Sequence, residues 1–392
     1  MLTITLGLAA RLASMPIDGL ARRWGAEEKD IEQEVRPTPA GDQLPGAPTG
    51  GGWRDWVGME ISTGTGFASG VWRASTPLHM RNGGALSDYR VFAVDVNGDK
   101  KTDIVTIGVN AAGGWADWAA VELSTGTGFT SQVWPLRLPK HIRNGGFGRY
   151  EVLPGDFNGD GRIDLAAFGG GAGGWKDWYA VALSTGTGFV SAEWPSTTPQ
   201  HVRNGGVGGY RFLVGDYNGD GKSDIATVSP LGSGGWKDWI SVDLSTGAGF
   251  SSGLWPAATP THMRNGGALA DYRVVAADLN GDGRTDLVTV SPNGGGGWAS
   301  WYAVELSSGT GFRSTMWATP TPGHMRNGGS GATYRVLVGD SDGNRRADLI
   351  TISANAAGGW RDWFAVDSSS GASFATGIRR AATPLHMRNG GQ

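Results

Sequence analysis

The sequence predicts an all-β chain, a β-propeller of four-stranded antiparallel blades, and three observations carry the prediction. The triplet GGW returns at Trp53, Trp115, Trp175, Trp236, Trp298 and Trp360, at spacings of 60 to 62 residues. Such a period is the signature of a repeat architecture. Between these anchors lie short runs such as YRVFAV and WYAVELS, alternating or β-branched and bounded by Gly, Asn and Asp. That is the pattern of short strands. Glycine supplies 68 of the 392 residues with no collagen-like period, which implies many tight turns.

Each unit reads in the same order. GGWxxW opens it. A strand such as YAVELS follows, then a turn such as STGTGF, then a segment that usually ends in Trp, then HxRNGG. Next come an apolar run such as YRVLVGD, a DxNGDGxxD loop and a second run such as DLVTV. Naming YRVLVGD strand A, DLVTV strand B, WYAVELS strand C and the segment before HxRNGG strand D gives four antiparallel strands per unit. Radial repetition of such a unit is a propeller blade. A solenoid is the alternative, and the turns between paired strands favour the propeller. The chain holds an opening C–D half at 53–73 and five full blades. Its last unit stops at HMRNGGQ, so the count is half a blade short of six, and closure with six or seven blades is left open.

The repeat region is thus 51–392. Residues 1–50 do not repeat and form a separate segment. Within it, 18–35 has helix-forming composition, 37–52 is a Pro/Gly linker, and LTITL at 2–6 could be a strand that helps close the ring. The formal net charge is −3 and no run of Lys or Arg exists, so no nucleic-acid footprint is present. There is no cysteine, which excludes disulfides and cysteine-based zinc sites without fixing the compartment. No apolar stretch is long enough for a membrane span. The first residues are mildly apolar without leading basic residues, a poor signal peptide; a secreted or extracellular location is nonetheless the expectation for the function argued below. A homo-oligomer is compatible with all of this.

In an up-and-down blade, successive connections alternate between the two ends of the sheet. The A→B loops (DxNGDGxxD) and C→D turns (STGTGF) therefore share one face. The D→A loops (HxRNGG) and B→C loops (GGWxxW) share the other. The acidic loops place oxygen donors at positions 1, 3, 5 and 9: Asp95/Asn97/Asp99/Asp103, Asp156/Asn158/Asp160/Asp164, Asp216/Asn218/Asp220/Asp224, Asp278/Asn280/Asp282/Asp286 and Asp340/Asp342/Asn344/Asp348. Oxygens on alternate residues, with glycine where the chain turns sharply, resemble the front of an EF-hand ligand set. Two readings stand: a structural Ca²⁺ site, or turns whose amides are capped by Asp and Asn. The first loop has Lys100 where the others favour glycine, and the last has neutral Asn344 at its fifth position.

All six histidines of the chain lie in HxRNGG loops: His79, His141, His201, His262, His324 and His386. Trp is equally ordered, since 17 of 18 sit at three repeated positions. The Trp that ends strand D (Trp72, Trp134, Trp194, Trp255, Trp317) reads as filler between blades. The pair in GGWxxW does not, because it flanks a glycine-rich loop at a strand mouth. An indole face beside Asp, Asn, Arg and His suits a sugar, whose C–H face stacks on the ring while its hydroxyls bond the polar fork. The candidate carbohydrate-binding residues are His79, Arg81 and Asn82; Trp115, Asp117, Trp118, His141, Arg143, Asn144 and Gly145; Trp175, Asp177, Trp178, His201, Arg203, Asn204 and Gly205; Trp236, Asp238, Trp239, His262, Arg264, Asn265 and Gly266; and Trp298, Trp301, His324, Arg326, Asn327 and Gly328. The competing reading is a plain Asn-Gly turn, which has no need of His and Arg each time.

Six copies of one loop imply six copies of one task. An enzyme rarely needs this; a binder gains avidity of roughly 10²–10⁴ from linked weak sites. No Ser-His-Asp set with unique members and no singled-out carboxylate pair is present, so a non-enzymatic binder of glycans is the expectation.

DFNGDGRIDLAAF, DYNGDGKSDIATV and DLNGDGRTDLVTV resemble FG-GAP/VCBS repeats, the propeller units also found in integrin heads. Together with GGWKDW, STGTGF and HVRNGG, the pattern is similar to the bacterial Photorhabdus-type propeller lectins and the related fungal mushroom lectin, over about residues 51–392. The resemblance implies a seven-bladed propeller with sugar pockets between adjacent blades, favouring fucose, O-methylated sugars or N-acetylglucosamine. This chain departs from it in blade number and in its N-terminal segment. Two rival functions are an adhesion propeller for protein partners, which predicts dissimilar loops from blade to blade, and a non-catalytic accessory module of a carbohydrate-active system.

Overall fold

The computed structural model describes residues 56–62, 67–74, 89–108, 118–136, 150–169, 178–196, 211–228, 239–257, 273–290, 301–319, 334–353 and 363–380. Among them the only regular elements are strands. An opening pair comprises β1 (Trp56–Ser62) and β2 (Phe67–Arg73). Blade 1 is β3 (Tyr89–Val94), β4 (Asp103–Gly108), β5 (Trp118–Ser124) and β6 (Phe129–Pro135). Blade 2 is β7 (Tyr150–Gly155), β8 (Asp164–Gly169), β9 (Trp178–Ser184) and β10 (Phe189–Pro195). Blade 3 is β11 (Arg211–Gly215), β12 (Asp224–Val228), β13 (Trp239–Ser245) and β14 (Phe250–Pro256). Blade 4 is β15 (Arg273–Ala277), β16 (Asp286–Val290), β17 (Trp301–Ser307) and β18 (Phe312–Ala318). Blade 5 is β19 (Tyr334–Gly339), β20 (Asp348–Ser353), β21 (Trp363–Ser369) and β22 (Phe374–Arg380).

Every blade is an antiparallel meander in chain order, and β1 pairs with β2 as the expected half-blade. The fold is a propeller of five complete blades. The helix expected over 18–35, the linker at 37–52 and the strand at 2–6 lie outside the described residues.

Position in the blade decides which residues each strand uses. The first strands of successive blades (β7, β11, β15, β19) pack on one another, so they lie innermost. The second strand is covered on both faces and reads as an apolar run: β16, DLVTV, is buried at every position. The fourth strand is the outer edge. In β14, FSSGLWP, Phe250 and Trp255 are buried and most residues between them face solvent.

Adjacent blades meet through an aromatic pair that repeats around the array. Trp72–Phe129, Trp134–Phe189, Trp194–Phe250, Trp255–Phe312 and Trp317–Phe374 place ring centroids 5.5, 5.8, 5.6, 5.4 and 5.2 Å apart, all tilted. The Trp ending each outer strand is therefore the expected inter-blade filler. Rings of this size dominate burial energetics at such a seam. In blade 5 the position is Arg379, which donates to the Ser341 carbonyl at 3.0 Å instead.

Candidate functional site

The strand order puts the two loop classes at opposite ends of each blade. The acidic loop joins the end of β7 to the start of β8, and the short turn from Ser184 to Phe189 lies at the same end. The segments carrying GGWxxW and HxRNGG spring from the other end, where β8 leaves and β9 begins, and where β10 leaves for the next blade.

The second acidic loop shows how the residues shape the backbone. Asp156 Oδ1 accepts from the amides of Gly159 and Asp160 at 2.8 and 3.0 Å, and Asp156 Oδ2 accepts from Gly161 at 2.8 Å. Asn158 Oδ1 takes the Asp160 amide at 3.1 Å, and Asp160 Oδ1 takes the Arg162 amide at 2.9 Å. Gly159 and Gly161 turn with φ of 77° and 84°, a conformation glycine adopts without strain. Asp164 is fully buried; it accepts from Phe157 N at 3.1 Å and Ser184 N at 2.7 Å, tying the loop to the neighbouring turn. Burial pushes its carboxyl up to about 7, against those two amides.

The other loops repeat this scheme. Burial likewise pushes Asp103 up to about 6, and Asp224 and Asp286 up to about 7. Lys100 and Arg345 stand in the glycine position yet keep the left-handed turn, with φ of 66° and 67°. Their amides still donate to Asp95 Oδ2 and Asp340 Oδ2 at 2.7 and 2.8 Å. The first four loops pair the acid at position 5 with the base at position 7: Asp99–Lys101, Asp160–Arg162, Asp220–Lys222 and Asp282–Arg284. The fifth loop has its acid at position 3 instead. There the carboxylate oxygens of Asp340, Asp342 and Asp348 come within 4.8 Å of one another, the only such group among the described residues.

In the first four loops the asparagine at position 3 caps its own turn. Asn97, Asn218 and Asn280 turn Oδ1 onto the amides of Asp99, Asp220 and Asp282 at 2.9, 2.9 and 2.8 Å, as Asn158 does. Asn158 and Asn280 also donate Nδ2 to the carboxylates of Asp160 and Asp282, at 2.9 and 3.0 Å. These four asparagines thus act as turn caps in the structure. The reason is reach: a short carboxamide meets the amide two residues on within its own turn. At position 1, Asp95, Asp216 and Asp278 likewise spend their oxygens on three loop amides each.

The same loops clasp neighbouring blades. The amides of Ile163, Ser223, Thr285 and Ala347 donate to the carbonyls of Asp95, Asp156, Asp216 and Asp278 in the preceding loop, at 2.9, 2.6, 2.7 and 2.8 Å. The hydroxyls of Ser184, Ser245, Ser307 and Ser369 donate to Val96, Phe157, Tyr217 and Leu279 carbonyls at 2.5, 2.6, 2.6 and 2.6 Å. Sequence reasoning missed this clasp. The available signal was the serine that ends strand C in every unit.

For the opposite face, the backbones of Trp118, Trp178, Trp239 and Trp301 open the third strands, paired with Pro135, Pro195, Pro256 and Ala318. The first Trp of each GGWxxW, the Asp beside the second, and all the His, Arg, Asn and Gly residues proposed from HxRNGG lie outside the described residues.

Just inside that end, the innermost strands carry a charged belt that sequence reasoning also missed. Arg90, Glu151 and Arg211 are buried at the same register. Glu151 interacts electrostatically with Arg90 and Arg211, and Arg211 with Arg273. Its signal was YR in most units and YE in the second.

A profile of the FG-GAP-like repeat matches residues 156–227, and one of the FG-GAP repeat matches 208–252 and 270–300. No curated protein matches the chain. Among solved structures, the fold is similar to a lectin of Agrocybe aegerita, described for specific recognition of non-reducing terminal N-acetylglucosamine. The TM-score is 0.57 at 18% identity, over 86% of this chain and 83% of that one. Segments within residues 156–300 thus match FG-GAP repeat profiles, and the propeller fold is similar to that of a fungal lectin.

Proposed function

We propose that this chain is a multivalent, non-catalytic carbohydrate-binding propeller, with sugar pockets at the blade seams on the face of the HxRNGG and GGWxxW loops. One observation carries the reading: HxRNGG recurs six times, and its connection leaves the same blade end as the Trp-bearing loop. The scaffold shared with the Agrocybe aegerita lectin supports it at the level of fold. Terminal N-acetylglucosamine, fucose and O-methylated sugars are the ligand classes to test, in an extracellular setting of glycoconjugates. The assay is a glycan array followed by isothermal titration with N-acetylglucosamine, fucose and methylated fucose. Weak single-site affinity and more than two sites per chain are expected. Absence of binding across the array would overturn the reading.

The acidic loops extend the proposal. Their donors are all oxygen, which suits a hard cation such as Ca²⁺, with a structural role far from the sugar face. Asp340, Asp342 and Asp348 are the best placed, because the fifth loop has no acid at position 5 held by the base at position 7. Calcium added to chelated protein should raise Tm while sugar affinity stays unchanged. An unchanged melting curve leaves the loops as capped turns.

A further inference from the structure

We propose that the blade seams are of two kinds, and that a buried set of four residues matches each blade face to the kind of face it can pack against. Each seam brings together the same four positions: the second residue of the third strand and the residue after the fourth strand in one blade, and the fifth residue of the third strand and the third residue of the fourth strand in the next.

Between blades 2 and 3 these are Tyr179, Ser196, Asp243 and Ser252. The Tyr179 hydroxyl donates across the seam to Asp243 Oδ2 at 2.6 Å, Ser252 donates to Asp243 Oδ1, and the Ser196 and Ser252 hydroxyls lie 3.4 Å apart. Between blades 4 and 5 they are Tyr302, Thr319, Asp367 and Thr376. Tyr302 donates to Asp367 Oδ2 at 2.9 Å, Thr319 to Asp367 Oδ1 at 3.3 Å, and Thr376 also to Oδ1. Both aspartates are 1% exposed.

The seams between blades 3 and 4 and between blades 1 and 2 hold neither the tyrosine nor the aspartate. Between blades 3 and 4 the positions hold Ile240, Ala257, Glu305 and Ser314. Ile240 and Ala257 join the apolar core of that seam, and Glu305 bonds Ser314 of its own blade. Between blades 1 and 2 they hold Ala119, Leu136, Ala182 and Ser191, and the first three lie in one apolar cluster. The four positions therefore change together: tyrosine and a hydroxyl face aspartate, whereas an apolar pair faces glutamate or alanine.

The physical reason is mutual satisfaction. A buried phenol needs an acceptor, and a buried carboxylate needs donors. Aspartate is one methylene shorter than glutamate and leaves room for the ring. Tyrosine against an alanine-bearing blade strands its hydroxyl; aspartate against an Ile240-type blade loses its cross-seam donor. Among otherwise similar blades, this is a buried feature that distinguishes one seam from the next. A buried polar residue selects register in coiled coils by the same logic.

The test transplants the pairing into an apolar seam. Ile240→Tyr alone should lower Tm by several degrees and promote exchange between copies, seen as larger species in size-exclusion chromatography. Adding Ala257→Ser and Glu305→Asp should recover at least half of the loss and the wild-type elution. The reverse set, Tyr179→Ile with and without Ser196→Ala and Asp243→Glu, should show the same rescue and serves if Ile240→Tyr does not fold. If neither set shows rescue, the four residues do not match face to face and the proposal falls.

Discussion

Replacing Asp224 by alanine should be among the most costly single changes in the acidic face, although the residue resembles its exposed neighbours in sequence. Asp224 is fully buried, and its two oxygens accept the amides of Tyr217 at 3.0 Å and Ser245 at 2.8 Å. Truncation leaves both donors buried without a partner, at about 1–3 kcal/mol each, so about 2–6 kcal/mol in all. The clasp adds to this. Ser245 also reaches the Phe157 carbonyl of blade 2 at 2.6 Å, and loosening its amide frees that hydroxyl bond. The control is Asp220→Ala, which removes an exposed pair with Lys222 at 3.1 Å and its exposed bond from the Lys222 amide at 2.9 Å, a donor that water can satisfy, and should cost less than about 1 kcal/mol. Denaturant unfolding in excess chelator measures both without any contribution from bound cation. If Asp224→Ala costs no more than Asp220→Ala, the buried aspartate does not organise the loop and the account of the clasp is wrong.

Other expectations concern separate parts of the molecule. Lys100→Gly should stabilise by about 1 kcal/mol in thermal unfolding, because a left-handed non-glycine residue is replaced by one that adopts the turn freely. Glu305 is held by burial up to about 7, against an ordinary value of 4.5. The folded state therefore binds its proton more tightly than the unfolded chain does. That contribution is fully present below about pH 4.5 and is lost as pH rises through 7, at most about 3 kcal/mol; Glu305→Gln should flatten the Tm profile over that window, and an unaltered profile would contradict the assignment. Asn204→Ala and Trp178→Ala should each remove about one sugar site by titration and leave folding intact, with a stacking loss of roughly 1–3 kcal/mol at the site. Survival of every site in both variants would place the pockets elsewhere.

The architecture was legible in the sequence because strand identity here is local. The runs in β16 or β17 are set by burial on one or both faces, and turn chemistry marks their ends. The inter-blade Trp residues were legible too, since Trp134 and its equivalents close an edge strand where only one face is covered. The clasp and the seam pairings were not. Ser184 and Val96, or Tyr179 and Asp243, are brought together by the stacking of blades, and nothing in the spacing of one unit encodes its neighbour. The acidic loops were half legible. Spacing located their oxygens but could not say what each oxygen meets. Asn97, Asn218 and Asn280 are taken up by amides of their own turns. Position 9 differs in kind again: Asp164 is buried and tied to Ser184, whereas Asp160 stays near solvent with Arg162.

The hydroxyl bonds of the clasp join residues 88 to 90 positions apart, whereas the aspartate that ends each acidic loop bonds a serine only 20 or 21 positions away. These two ranges set an order of events during folding. A blade closes its own short loops at little entropic cost, and docking follows only when the next unit has been made. Until blade 3 arrives, blade 2 presents Leu153, Tyr179, Val181 and Trp194 to water, the surface that blade 3 covers with Phe212, Ile225 and Phe250. On this reasoning each blade should pass in turn through an adhesive stage during synthesis, which slow elongation between units would lengthen. Chaperone demand for this chain should accordingly rise with the interval between successive blades rather than with total length.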